Sequence, residues 1–163
     1  MKQSKLFWAP IFMLIVMLTT NCYPQTIGKL FTKEEANILY GKTLESVVIN
    51  SQDLDRLLEK TDNYVMFKLS NNELIVLDDH RNVLSPLNKY LPEDEGVYVF
   101  SKSRVKELLE LVKTEKVSIE NRPETLTITS GFYTLEMSAW CPPFCSDNSM
   151  QVATQMRQQL LSD

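Results

Sequence analysis

Four glycines and a single histidine occur in the whole chain of 163 residues. Loops that cradle phosphates are built on glycine, and neither a P-loop nor a dinucleotide-binding fingerprint is present. G-x-S-x-G and H-E-x-x-H are missing too. With His80 as the lone imidazole, any Ser-His-Asp set would be an arbitrary choice. Basic residues are also outnumbered, with 17 Lys and Arg against 21 Asp and Glu, for a net charge of −4. An acidic chain without a basic stripe is a poor partner for nucleic acid. It is equally poorly suited to electrostatic docking on anionic lipid. These absences point away from an enzyme and imply no cofactor.

Positive charge does gather at the start, as Lys2 and Lys5, followed by the uncharged apolar run Leu6–Leu18 (LFWAPIFMLIVML). The run falls short of the roughly 20 residues that a spanning helix needs, and Pro10 interrupts it. It carries no polar face, as a core helix would. A basic head, an apolar stretch and then Thr19-Thr20-Asn21-Cys22 read as an export signal over residues 1–21. Leu18-Thr19-Thr20-Asn21-Cys22 resembles the lipobox of bacterial exported lipoproteins. The departures are Asn21, where a small residue is usual, and the placement of Leu18. The resemblance implies that Cys22 is lipidated and becomes the first residue of a mature protein on the periplasmic or outer face of a bacterial membrane. A soluble exported protein and an uncleaved anchor are the other readings of this segment.

Three cysteines are present, Cys22, Cys141 and Cys145. If Cys22 carries lipid, the remaining two lie four positions apart in an oxidising compartment and are expected to form a small-loop disulfide. Closing so short a loop removes little chain entropy, so its contribution should sit at or below the usual 2–4 kcal/mol or so.

Beyond the signal, residues 22–31 read as a tether, 32–147 as one α+β domain, and 148–163 as a C-terminal helix or frayed tail. Thr32-Lys33-Glu34-Glu35 matches a capping box, predicting a short helix that stops at Gly41. Leu44–Ile49 reads as a strand, and Ser51 as the cap of a helix running through Lys60 with Leu54, Leu57 and Leu58 on one face. Tyr64–Leu69 and Glu73–Leu77 read as a hairpin about Asn71-Asn72, and Val83-Leu84 as a further short strand. Residues 85–96, with two prolines and three acids, form a connecting loop.

The pattern then recurs. Val97–Phe100 reads as a strand, Ser101 or Ser103 as a helix cap, and Lys116–Ile119, Thr125–Thr129 and Phe132–Met137 as three strands. Setting Val48 against Val99 aligns Ile49 with Phe100, Leu54 with Val105, and Leu57 and Leu58 with Leu108 and Leu109. This suggests a β-α-β-β-β unit used twice, over 44–85 and 97–138. Two capped amphipathic helices that follow strands would also align by chance. Either way the expectation is an antiparallel sheet with two helices packed on one face, its threonines (Thr125, Thr127, Thr129) turned to the other.

Trp140-Cys141-Pro142-Pro143-Phe144-Cys145 is the sharpest local signal. It resembles the W-C-x-x-C of thioredoxin-like oxidoreductases, but with one residue more between the cysteines and after a predicted late strand. The C-x3-C spacing also resembles the copper site of Sco-type assembly proteins, in which two thiolates are joined by a histidine, here His80. Both resemblances cover only these few residues, and a structural disulfide competes with them. Asp78-Asp79-His80-Arg81-Asn82 lacks calcium-loop spacing and reads as a polar turn. The expectation is thus a non-enzymatic binding or structural module, anchored to membrane through Cys22, with a protein partner of unknown kind and no nucleic acid. The alternative is a thiol redox or copper-binding protein using Cys141, Cys145 and His80.

Overall fold

The computed structural model describes residues 26–136 and 138–141. Its strands are β1 (Lys29–Thr32), β2 (Glu45–Asn50), β3 (Tyr64–Ser70), β4 (Glu73–Leu77), β5 (Val83–Ser85), β6 (Val97–Ser101), β7 (Lys116–Asn121), β8 (Leu126–Ser130), β9 (Tyr133–Glu136) and β10 (Ala139–Cys141). The helices, numbered here in chain order, are α1 (Lys33–Tyr40), α2 (Ser51–Leu58) and α3 (Lys102–Val112). The fold is α+β.

Local chemistry sets most boundaries. The capping box forms: the Thr32 hydroxyl accepts from the Glu35 amide, and the Glu35 carboxylate accepts from the Thr32 amide at 2.8 Å. Gly41 ends α1 at φ 78°, a conformation that costs a residue with a Cβ. Asn71 and Asn72 both take positive φ, which lets a two-residue turn match the twist of β3 and β4. At α2 the cap is Asn50 and not Ser51. The Asn50 side chain accepts from the Gln52 amide at 2.8 Å, while the Ser51 hydroxyl donates to the Thr114 carbonyl and ties α2 to the start of β7. Ser101 caps α3 by position only, since its hydroxyl is taken by the Ile27 amide.

The order β-α-β-β-β does occur twice, as β2-α2-β3-β4-β5 and β6-α3-β7-β8-β9. The strands divide over two antiparallel sheets, β1-β9-β8-β7-β2 and β10-β6-β3-β4-β5, where a single sheet was expected. Each unit's first strand leaves its own meander and joins the other's. Thus β2 pairs with β7, with Val48 opposite Ser118, and β6 pairs with β3, with Val99 opposite Met66. The alignment of Val48 with Val99 therefore carries one ladder onto the other. Alternation along a strand reports which face is buried, and it holds no signal for which meander the strand joins.

One core cluster is shared by both sheets and both repeat helices. Leu54 and Leu58 of α2 and Val105 and Leu108 of α3 meet Val65, Phe67 and Val76 of one sheet and Val117, Ile119, Ile128 and Leu135 of the other. A second cluster lies on the far face of the β10-β6-β3-β4-β5 sheet, where Met66, Leu77, Val97, Val99 and Cys141 pack under Ile27 and Leu91. The segment read as a tether is hence part of the fold from Ile27 onward: Ile27 is buried and β1 pairs with β9.

The threonine face is not solvated either. Thr127 and Thr134 are fully buried, and α1 lies against β1 and β9 with Ala36 buried. The expected one-sided burial is thus corrected to burial on both faces. Cys22, the proposed tail 148–163, Cys145 and residues 1–21 lie outside the described residues.

Candidate functional site

Of the residues singled out in the sequence, Cys141 lies at the Val97 end of β6, whereas Asp79 and His80 lie beside Asp62–Tyr64, toward Ser101. Trp140 and Cys141 belong to β10, opposite Tyr98 and Val97 of β6. The two residues point to opposite faces. Cys141 is buried in the second core cluster, whereas Trp140 is about half exposed and meets Tyr98 edge-to-face, with centroids 4.6 Å apart. Gly96 makes this possible, because a Cβ there would sit 1.9 Å from the Trp140 ring. Burial, reinforced by the Glu136 carboxylate, raises the Tyr98 phenol above its ordinary value.

Arg81 links this end to the turn before β5. Its guanidinium donates to Cys141 Sγ at 3.2 Å and to the carbonyls of Pro92 and Glu95 at 3.1 and 2.9 Å. The side chain thereby pins the 86–96 loop over β10. Its neighbours are equally structural. The Asp79 carboxylate accepts the amides of Asp62, Asn63 and Tyr64 at 2.7–2.9 Å, clamping the α2–β3 connection. The Asp78 carboxylate accepts from the His80 and Asn82 amides and the Asn82 side chain. Each acid in Asp78-Asp79-His80-Arg81-Asn82 thus accepts backbone amides. His80 itself is exposed, its Nε2 4.0 Å from Asp62.

Among the described residues, no group of three or more His, Cys, Asp and Glu is placed to hold a metal. The permanent guanidinium charge beside Cys141 Sγ opposes a cation at that sulfur. Cys141 is the last residue of β10, where its side chain is buried.

A second polar cluster was not foreseen. Arg122, in the turn between β7 and β8, is 2% exposed. Its Nη2 donates to Glu120 at 2.8 Å, its Nε to Thr127 at 3.0 Å, and its Nη1 to Asn37 at 2.9 Å and to the Gly41 carbonyl. Glu120 also accepts from Thr43 at 2.9 Å. The guanidinium thus joins α1, the α1–β2 loop, β7 and β8. The sequence signal for it is faint: a charged residue before Pro123, followed by alternating threonines.

Two grooves, of about 350 and 760 Å³, open at the starts of α3 and α2. Lys106 lines both. Its ammonium donates to Glu59, which raises the Lys106 pKa and, by the same hydrogen bond, lowers that of Glu59. Lys102 is bonded to the Thr61 carbonyl at 2.8 Å. Lys102 and Lys106 are thereby engaged within the protein. No protein-family model matches the chain, and neither a curated protein nor a solved structure is similar to it.

Proposed function

We propose that this chain is an exported, lipid-anchored protein of a bacterial cell envelope that acts as a non-enzymatic binding or structural module. The observation that carries the reading is the basic head, short apolar run and Cys22 at its N-terminus. The fold is consistent with it. Ile27 is already packed in the core, so only three residues separate Cys22 from Thr26, a span of at most about 14 Å. A lipid on Cys22 would hold the domain against the bilayer, with the Thr26–Lys102 end nearest the membrane. Among the described residues, no helix is long and apolar enough to cross one.

In this reading Cys141 and Cys145 form a disulfide that closes the chain beyond β10. Burial of Cys141 and its contact with Arg81 support a structural bridge over a catalytic thiol pair. The test is metabolic palmitate labelling of the full chain and of Cys22→Ala. Label and membrane association are expected in the first and lost in the second. Label retained by Cys22→Ala, or no label in either, would refute the anchor. If mild reductant yields two alkylatable thiols or the reduced chain retains Cu(I), the alternative of a thiol redox or copper protein replaces the structural bridge.

A further inference from the structure

The two repeat units differ in what lies beside their exchanged first strands. The outer edge of β6 carries β10, with Ala139 opposite Val99 and Trp140 opposite Tyr98. The equivalent edge of β2 has no strand partner among the described residues. The β2 edge is also the least protected of the four sheet edges. β1 is four residues long and begins at Lys29, β5 is three residues long and runs into Pro86, and β10 is three residues long. β2 has six residues, and Ser46 to Asn50 contain neither charge nor proline. Short strands, charges and prolines are the devices by which proteins keep edges from pairing, and the interior of β2 lacks them. Val48 is 59% exposed on its outer face and Leu44, just before the strand, 69%.

We infer that β2 is a strand-pairing surface whose partner is β2 of a second copy of this chain, joined antiparallel about a two-fold axis at Val48. The backbone favours that register. Ser51 donates its amide to Glu115 across the ladder, so alternation turns the amides of Ile49 and Val47 toward β7 and those of Ser46, Val48 and Asn50 toward the open edge. Centring the axis on Val48 pairs Val48 with itself and Ser46 with Asn50 of the second copy, all residues whose amides face outward. The side chains agree. Val47 meets Ile49 on the inner face and Val48 meets Val48 on the outer, while Glu45 falls opposite Ser51. No like charges face each other across the strands. The result is one continuous sheet through both copies, the closed two-fold contact commonest among soluble oligomers.

The pairing rests on the reading of the domain as a binding module and is independent of the lipid. Sedimentation of the full chain in detergent micelles tests it. The expected protein mass is twice that of one chain. Val48→Lys, which sets two ammonium groups face to face at an exposed position, is expected to halve that mass with the thermal transition retained. As a second test, Val48→Cys should give a disulfide-linked pair of chains under oxidation, well above that from Phe132→Cys, a more exposed residue in the β8–β9 turn. Cys22→Ala is expected to remain paired, which separates a failed anchor from a failed interface. A single-chain mass for the wild type at every concentration would overturn the inference. A double mass that Val48→Lys leaves intact, or a Val48→Cys cross-link to a different protein, would overturn it as well.

Discussion

Replacing Arg122 by methionine tests whether α1 is held to the sheet by a buried polar hub. The side chains of Arg122 and Glu120 are 0% and 6% exposed, and the guanidinium serves Glu120, Thr127, Asn37 and the Gly41 carbonyl. Methionine restores much of the volume and none of the donors. Glu120 is left as a buried carboxylate with only the Thr43 hydroxyl beside it. Breaking a buried pair by removing one partner costs about 3–5 kcal/mol, chiefly for the stranded charge. That is a large share of the 5–15 kcal/mol or so of a typical domain. Equilibrium urea denaturation of the chain and of Arg122→Met should show the loss as a lower midpoint at unchanged slope. Arg122→Met combined with Glu120→Leu removes both charges, so the double variant should be more stable than Arg122→Met alone. The coupling is expected at about 1–3 kcal/mol. A single-variant loss below about 1 kcal/mol, as for an exposed pair, or a double variant equal to the sum of its singles, would refute the hub.

Gly96→Ala should drive the Trp140 ring off Tyr98, since the new Cβ would lie 1.9 Å from it. A cost of about 1–3 kcal/mol is expected, together with a red-shifted tryptophan emission that Tyr98→Ala does not reproduce in size. An unshifted spectrum would disprove the close approach. The Glu35 carboxyl is held below its ordinary value of 4.5 by hydrogen bonds from Thr32, first its amide and then its hydroxyl. A lowered folded-state pKa means stability present above the ordinary value and lost as pH falls through the folded one. Glu35→Gln should hence lower the melting temperature near neutrality and match the wild type in strong acid. A difference that persists in acid would count against the capping box. Cleavage at a protease site placed by the exposed Leu87 should leave the two halves co-eluting until denaturant is added, because β2–β7 and β6–β3 are ladders between halves. Separation in native buffer would rule out the strand exchange.

Elements with a strong local cause were legible in the sequence. Thr32 to Glu35 encodes both sides of the α1 cap, and Asn71-Asn72 is a pair that tolerates the positive φ of its turn. The recurrence of β-α-β-β-β could be read because Leu54 and Val105 keep the same place after a capped strand end. What could not be read depends on distant partners. Nothing within Glu45–Asn50 distinguishes pairing with β3 from pairing with β7. The threonines of β8 look like a solvated face, and only the placement of α1 over β9 makes that face interior. Arg122 illustrates the same limit at one residue, since its four partners come from segments spread between Asn37 and Thr127.

The polar side chains of the short motifs are engaged within the fold for a shared physical reason. A carboxylate beside a turn satisfies backbone amides as readily as it binds a cation, and the closure of the fold decides between them. At Asp79 three amides of the α2–β3 connection arrive first. At Cys141, Arg81 reaches the sulfur and two loop carbonyls together and ties β10 to the 86–96 loop. The polar clusters are thus spent on holding the two sheets' margins in place. Among the described residues, the long strand edge left without a partner is that of β2, where the amides of Ser46, Val48 and Asn50 face outward and the interior carries neither charge nor proline.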